Sequence, residues 1–166
     1  MGIVLTTSAV AVEAKPVQPS KMTCSDFLAL SDTIKPRAVA WLEGYNKAGK
    51  VKEQDLGEVE VDRQTAVMVA LCKQSPTTSF WGVVSAMLPM GNKRIKPTKM
   101  TCQEFVDLDD TTRPQAVYWL AGYKAGGTVK EGAAAEVDLE RDIGVVVVDC
   151  KQAPKESLWE KIKKTF

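Results

Sequence analysis

The sequence contains no histidine among its 166 residues. Histidine is the side chain that most often serves as a general base, a metal ligand or a charge switch near neutral pH. Its absence argues against an enzyme and against a metal-dependent protein, and we expect no catalytic residue, no metal site and no cofactor. Any response to pH must then come from the carboxylates, which titrate at about pH 3 to 5.

The chain also lacks an excess of charge of either sign. It has 22 Lys and Arg residues against 21 Asp and Glu residues, which gives a net charge of +1. Without a basic surplus, nucleic acid is not an expected partner. No apolar run is long enough to span a bilayer, so a membrane is not expected either. A glycine-rich phosphate loop is missing, which argues against ATP binding.

The segment 1–18 differs from the rest of the chain. Met1–Ala14 is apolar and rich in small residues, and Ala9–Ala11 and Val12–Ala14 have the pattern of signal-peptide cleavage sites. A basic region ahead of the apolar stretch is missing. We interpret the segment as the remnant of a secretory signal peptide, with a disordered N-terminal tail as the alternative.

The sequence does contain an internal repeat. Lys-Met-Thr-Cys occurs at 21–24 and again at 99–102, and Trp-Leu-x-Gly-Tyr occurs at 41–45 and 119–123, each pair offset by 78 positions. The offset holds without a gap from 19 to 81, and about half of the aligned positions are identical. We therefore predict two similar domains, module 1 (19–88) and module 2 (97–166), joined by a linker (89–96) that contains Pro, Gly and basic residues.

Each module has helical signals and no alternating strand pattern, which predicts an all-α fold. Thr23 with Asp26, and Thr101 with Glu104, fit the capping box that opens a helix. A second helix is predicted to begin near Pro36 or Pro114. It is expected to end at Gly49 in module 1 and at Gly126 and Gly127 in module 2.

Two further helices are predicted in each module. The third is expected over about 59–72 and 137–150. Its β-branched run Val145–Val148 also fits a buried strand, but we favour a helix. The last is expected over about 77–87 and 155–164.

The four cysteines occur as two equally spaced pairs. Cys24 and Cys72 are 48 positions apart, as are Cys102 and Cys150. Four cysteines allow three connectivities; duplication favours one bridge within each module, because each module once had to fold alone. A loop of this length gains about 4 kcal/mol from its bridge in the chain-entropy model. Disulfides imply an oxidising compartment. A metal or redox centre is the weaker alternative, since Cys-x-x-Cys is absent.

Several of these motifs resemble those of the HdeA/HdeB-type periplasmic acid-stress chaperones. They are Thr-Cys-x-(Asp/Glu)-Phe at 23–27 and 101–105, Pro-x-Ala-Val at 36–39 and 114–117, the cysteine spacing, and the lysine-rich ending at 159–164. The resemblance implies a helical fold with one disulfide per module and a dimer at neutral pH. In acid it implies dissociation and partial unfolding. The chain departs from the family pattern in having two modules and in the apolar tail of module 1.

The resemblance implies an ATP-independent, acid-activated periplasmic chaperone whose partners are acid-denatured client proteins. When the 21 carboxylates are protonated, the net charge moves from +1 toward about +22, and this repulsion opposes the compact state. The residues expected to bind clients or to line a module interface are Val39, Trp41, Leu42, Tyr45, Trp81, Val117, Trp119, Leu120, Tyr123 and Trp159. The acid-sensing candidates are Asp26, Asp32, Glu104 and Asp110.

Two further hypotheses follow from the duplication and from the fold class. The modules of one chain are hypothesised to pack on each other as an intramolecular pseudo-dimer, so that acid separates domains instead of subunits. The alternative function is a secreted or periplasmic binding or inhibitor module that acts at neutral pH, because small disulfide-linked helical domains also serve as scaffolds for such roles.

Overall fold

The computed structural model describes residues 17–48, 59–61, 64–87, 93–128 and 136–166. These residues form eight α-helices and one pair of three-residue strands. The predicted all-α fold class is therefore confirmed. Among the described helices, none combines the length and the apolar character that crossing a membrane requires.

The helices follow the same order in both halves of the chain. In module 1 the elements are α1 (Cys24–Ala29), α2 (Lys35–Lys47), β1 (Val59–Val61), α3 (Gln64–Gln74) and α4 (Phe80–Ala86). They are followed by β2 (Lys93–Ile95), α5 (Cys102–Val106), α6 (Thr112–Thr128), α7 (Gly144–Gln152) and α8 (Leu158–Thr165). Short 3₁₀ turns at Pro19–Lys21 and Pro97–Lys99 precede α1 and α5.

The predicted capping boxes open α1 and α5. The Thr23 hydroxyl accepts a hydrogen bond from the Asp26 backbone N–H at 3.2 Å, and the Asp26 carboxylate accepts one from the Thr23 N–H at 2.9 Å. Thr101 and Glu104 make the equivalent bonds at 3.3 and 2.8 Å. Each box satisfies two backbone donors that a helix start otherwise leaves without a partner.

The second helix of each module begins as predicted but ends differently in module 2. Pro36 lies in the first turn of α2, and Pro114 lies in the first turn of α6. The prediction that Gly126 and Gly127 end the helix is wrong, since α6 continues to Thr128. Close packing of Gly126 against α2 outweighs its low helix propensity. Gly49, the predicted end in module 1, lies outside the described residues.

The third helix of each module is shorter than predicted. α3 begins at Gln64 and α7 at Gly144, whereas residues 59–61 form β1 and Val137 makes an isolated β-bridge. These valine-containing segments form backbone hydrogen bonds with the other half of the chain. The hydrophobic periodicity within one segment cannot predict such a distant partner. For Val145–Val148 the helix prediction is confirmed.

One disulfide closes each module. Cys24 is bonded to Cys72 and Cys102 to Cys150, so the predicted connectivity is confirmed. The bonds join α1 to α3 and α5 to α7. All four cysteines are fully buried.

Short antiparallel contacts connect the two modules reciprocally. Val17 and Val137 exchange two backbone hydrogen bonds of 2.9 Å, and β1 pairs with β2 in the register Val59 to Ile95. Val17 and Ile95 are equivalent positions in the repeat, as are Val59 and Val137. The segment that leads into each module therefore pairs with the other module, and β2 occupies part of the predicted linker 89–96.

Candidate functional site: the contact between the two modules

Helices α2 and α6 form the most extensive contact between any two described elements. The contact is close because each helix has a glycine where the other helix crosses it. A Cβ atom on Gly44 would come within 1.9 Å of the Trp119 carbonyl oxygen, and one on Gly122 would come within 1.9 Å of the Trp41 carbonyl oxygen. Because Gly44 and Gly122 are equivalent in the repeat, as are Trp41 and Trp119, the contact is reciprocal, which is the pattern of a pseudo-two-fold axis at this crossing.

Aromatic side chains form a matching row in each module. In module 1 the Trp41 and Tyr45 rings stack with centroids 5.0 Å apart, and Tyr45 meets Trp81 edge to face at 5.2 Å. In module 2 the corresponding distances are 5.5 Å for Trp119 and Tyr123 and 5.8 Å for Tyr123 and Trp159. Each row links the second helix of its module to the last one.

All ten predicted client-binding or interface residues lie in or against one continuous apolar core that both modules share. The buried ones are Val39, Trp41, Leu42, Val117, Trp119, Leu120 and Trp159, and the partly buried ones are Tyr45, Trp81 and Tyr123. Because neighbouring residues cover most of this apolar surface, another protein can reach it only if the packing opens.

The Arg37 side chain of module 1 contacts module 2. The Arg37 Nη1 atom donates a hydrogen bond of 2.8 Å to the Leu139 carbonyl oxygen, and the guanidinium carbon lies 5.6 Å from the centre of the Tyr118 ring. The Tyr118 hydroxyl lies 3.1 Å from the Asp138 carbonyl oxygen and 3.0 Å from that of Arg141. Burial raises the pKa of Tyr118 to about 12, so this hydroxyl remains a donor above the pH at which an exposed tyrosine ionises.

A carboxylate also takes part in the contact between modules. Glu136 Oε1 accepts a hydrogen bond of 2.9 Å from the side-chain amide of Gln18. This bond lies next to the Val17–Val137 backbone pair. Glu136 is not among the predicted interface residues, because only the fold brings residues 118 positions apart together.

The four predicted acid-sensing candidates are exposed and lie near the starts of helices. Hydrogen bonds from Thr23 lower the pKa of Asp26, and bonds from Thr101 lower the pKa of Glu104. The side-chain hydrogen bond from Lys35 lowers the pKa of Asp32. Asp110 forms an ion pair of 2.8 Å with Arg113. Their role as sensors stays a prediction.

One further acid has a shifted pKa that the sequence did not indicate. The Lys161 side chain donates to Glu156 at 2.7 Å and lowers the pKa of that carboxyl group. The lysine-rich C-terminus forms α8. Lys163 and Lys164 are exposed on this helix, whereas Leu158 and Ile162 are buried. Over the part of the chain that the structure describes, no group of three acidic, Cys or His side chains is arranged to hold a metal ion.

The residues that make the contact close and specific are not among the ten predicted interface residues. Gly44 and Gly122 did carry a signal, because a glycine inside a helical pattern at the same place in both modules usually has a packing reason. Arg37 and Tyr118 carried none, since module 2 has Gln115 in place of the arginine and module 1 has Ala40 in place of the tyrosine.

The fold and the contact define a class of protein, a duplicated small helical module in which each copy is closed by one disulfide and the copies pack through glycine-containing helices. The chain belongs to the HdeA/HdeB family, whose family model matches residues 1–82 and 83–160.

Curated relatives agree with this assignment. Proteins named "Probable acid stress chaperone HdeA" from Brucella ovis, Brucella canis and Brucella abortus are each 36% identical over 69 residues. The match covers 42% of this chain and 60% of the length of each relative. No solved structure matches the chain.

Proposed function

We propose that the chain is an ATP-independent chaperone that acid activates and that keeps acid-denatured client proteins from aggregating. Membership of the HdeA/HdeB family and the relatives named as probable acid stress chaperones support the acid-stress role. The two intramodule disulfides support a periplasmic location, because such bonds persist in oxidising compartments.

The observation that carries the proposal is the buried apolar contact between α2 and α6. It contains Trp41 and Trp119, which are 1% and 0% exposed, and the other module of the same chain covers it in the folded protein. We propose that this surface is the client-binding surface and that acid uncovers it. Modules that separate within one chain make an intramolecular pseudo-dimer, whose opening does not depend on protein concentration.

Protonation supplies the driving force for opening in this proposal. The net charge rises from +1 toward about +22 when all carboxylates are neutral, and like charges then repel across both modules. Carboxylates whose pKa is lowered in the fold, such as Asp26 and Glu104, lose their stabilising hydrogen-bond energy over the same range. The disulfides limit how far each module then expands.

A covalent lock between the modules tests the proposal. Val17 and Val137 form a hydrogen-bonded antiparallel pair, and such pairs have Cα atoms about 5.5 Å apart, which suits a disulfide. The double variant Val17→Cys with Val137→Cys, oxidised after folding, is compared with Val17→Cys alone. Light scattering of an acid-labile client at about pH 2 to 4 is the measurement.

We expect the wild-type chain and the single variant to suppress client aggregation in acid, and the locked variant to suppress it much less. Absence of suppression by the wild-type chain over this pH range would refute the chaperone proposal. Equal suppression by the locked and single variants would refute the opening of α2 from α6 as its cause. A stable dimer of whole chains in sedimentation at neutral pH would contradict the intramolecular pseudo-dimer.

A second candidate is a periplasmic binding module that acts at neutral pH. It is favoured by one observation, the exposed apolar face of α7, on which Val145 and Val148 are 59% and 54% exposed. Fluorescence of an apolar dye against pH separates the two candidates. The chaperone proposal expects a sharp rise only in acid, whereas the binding module expects a signal at pH 7 that Val145→Ser with Val148→Ser abolishes.

A further inference from the structure

The two modules carry different residues at one position of their contact. Ala48 and Gly126 are equivalent in the repeat, and they face each other across the pseudo-two-fold axis. A Cβ atom on Gly126 would come within 2.6 Å of both the Ala48 Cβ atom and the Tyr45 carbonyl oxygen. The contact therefore has room for one methyl group at this place and not for two.

A second difference lies on one side of the same contact. Arg37 of module 1 reaches the Leu139 carbonyl oxygen and the Tyr118 ring of module 2. The reverse contact cannot form, because module 2 has Gln115 at the position of Arg37 and module 1 has Ala40 at the position of Tyr118. An arginine over a tyrosine ring is attracted by the π-electrons of the ring, and an alanine offers no such partner.

We propose that this contact selects unlike modules, so that module 1 pairs with module 2 in preference to a second copy of itself. Two copies of module 1 bring a second methyl group to the place that Gly126 leaves open, and they place Arg37 over Ala40. Two copies of module 2 avoid the methyl clash but lose Arg37. The order of pairing is therefore unlike modules first, two copies of module 2 second and two copies of module 1 last.

The inference rests on the intramolecular pairing proposed above and not on chaperone activity. Its test uses the whole chain with a protease site placed in segment 88–92. The folded protein is cut there, unfolded in guanidinium chloride with both disulfides intact, and refolded by dilution at pH 7. Native mass spectrometry then counts the pairs, and random pairing would give about half unlike pairs.

We expect unlike pairs to outnumber like pairs several-fold, whereas random pairing would give equal numbers of the two. Gly126→Ala in the cut chain gives every kind of pair two methyl groups at this place, so we expect the excess of unlike pairs to shrink to what the Arg37 contact alone supplies. Gly127→Ala is the matched control, since a Cβ atom there has no neighbour within 4 Å. Ala48→Gly is expected to produce pairs of two module 1 copies, a gain that a variant failing to fold cannot mimic.

A random distribution of pairs in the unmodified cut chain overturns the inference. So does the absence of any pairing, because the contact itself would then not hold the modules together, and so does an Ala48→Gly chain without new module 1 pairs. These readouts need no client and no acid. Failure of the aggregation assay with selective pairing intact would remove the chaperone proposal and leave this inference standing.

Discussion

The backbone of Trp119 lies against Gly44 so closely that its carbonyl oxygen is 1.9 Å from the point where a Cβ atom would be. Trp41 has the same relationship to Gly122. The backbone of the two tryptophans thus sets the distance between α2 and α6. Any side chain at either glycine has to push whole helices apart, because no flexible group stands in the way.

Gly44→Ala is expected to loosen the contact between the modules. Overpacking a well-packed interior costs about 1 to 3 kcal/mol, and here the clash is with backbone, so we expect the upper end of that range. Urea unfolding at pH 7 measures the loss, and apolar-dye binding at pH 7 should rise.

Gly82→Ala is the matched control for this change. Gly82 also lies inside a helix, but the nearest atom to its added Cβ, on Ser79, is 3.8 Å away. Replacing an unconstrained helical glycine by alanine stabilises by about 0.5 to 1 kcal/mol. Equal stabilities of the two variants would contradict the packing role of Gly44.

Removal of one disulfide is expected to make its module less stable to unfolding than the other module. Cys24→Ser with Cys72→Ser opens a 48-residue loop, and the chain-entropy model gives a loss of about 4 kcal/mol. Guanidinium unfolding followed by circular dichroism should therefore become biphasic or shift to a much lower midpoint. The equivalent pair, Cys102→Ser with Cys150→Ser, provides the comparison, and an unchanged midpoint in both variants would contradict the stabilising role.

Asp26→Asn is expected to reduce the dependence of stability on acid. Hydrogen bonds from Thr23 lower the pKa of Asp26 in the fold below its ordinary value of 3.8. A lowered pKa means stability that is present above the ordinary value and is lost as the pH falls through the folded value. An asparagine has no such loss, so the variant is less stable than wild type at neutral pH and loses less on acidification.

The measurement is the free energy of unfolding in urea at about pH 6 and pH 2.5, on either side of the titration. Ser25→Ala, at the exposed neighbouring position in α1, is the control and should follow the wild-type profile. Adding Glu104→Gln, whose pKa is lowered by the equivalent bonds from Thr101, should flatten the profile further. A profile as steep as that of wild type would count against both capping carboxylates.

Tyr118→Phe is expected to protect the fold against alkali. Burial raises the pKa of Tyr118 from 10.0 to about 12. Its contribution is therefore complete below pH 10 and is lost as the pH rises through about 12. The variant gives up a hydrogen bond of about 1 kcal/mol at neutral pH but loses less stability at high pH. Urea unfolding between about pH 8 and 11.5 compares the two slopes, and parallel curves would contradict the assignment.

The sequence predicted the features that depend on residues near one another along the chain or on the repeat. The Thr23 and Thr101 capping boxes need only local hydrogen bonds, and duplication favoured Cys24 with Cys72 over the other pairings. The helix boundaries that were predicted wrongly depend on contacts between residues far apart in the sequence. Gly126 stays helical because α2 packs against it, and the residues before α3 and α7 form β-bridges with the other half of the chain.

The candidate site divides in the same way. Trp41 and Leu42 follow Ala38 by three and four positions, a spacing that predicts one apolar face on a helix, and both are buried. The periodicity of one helix does not indicate which helix packs against it. The crossing of α2 with α6, and the contacts of Arg37 with Leu139 and Tyr118, could therefore not be predicted from the sequence. The hydrogen bond between Gln18 and Glu136 could not be predicted either, since neither residue belongs to a motif.

The exchange of leading segments between the halves has a consequence for shortening the gene to a single repeat. Val17 and Ile95 each complete a backbone pair in the opposite copy. A single copy would retain its helices and its disulfide but would expose unpaired strand backbone. Such exposed strand edges tend to pair with another chain. Ancestral or engineered one-repeat versions would thus be driven to self-associate, whereas the duplicated gene supplies both strands in one molecule.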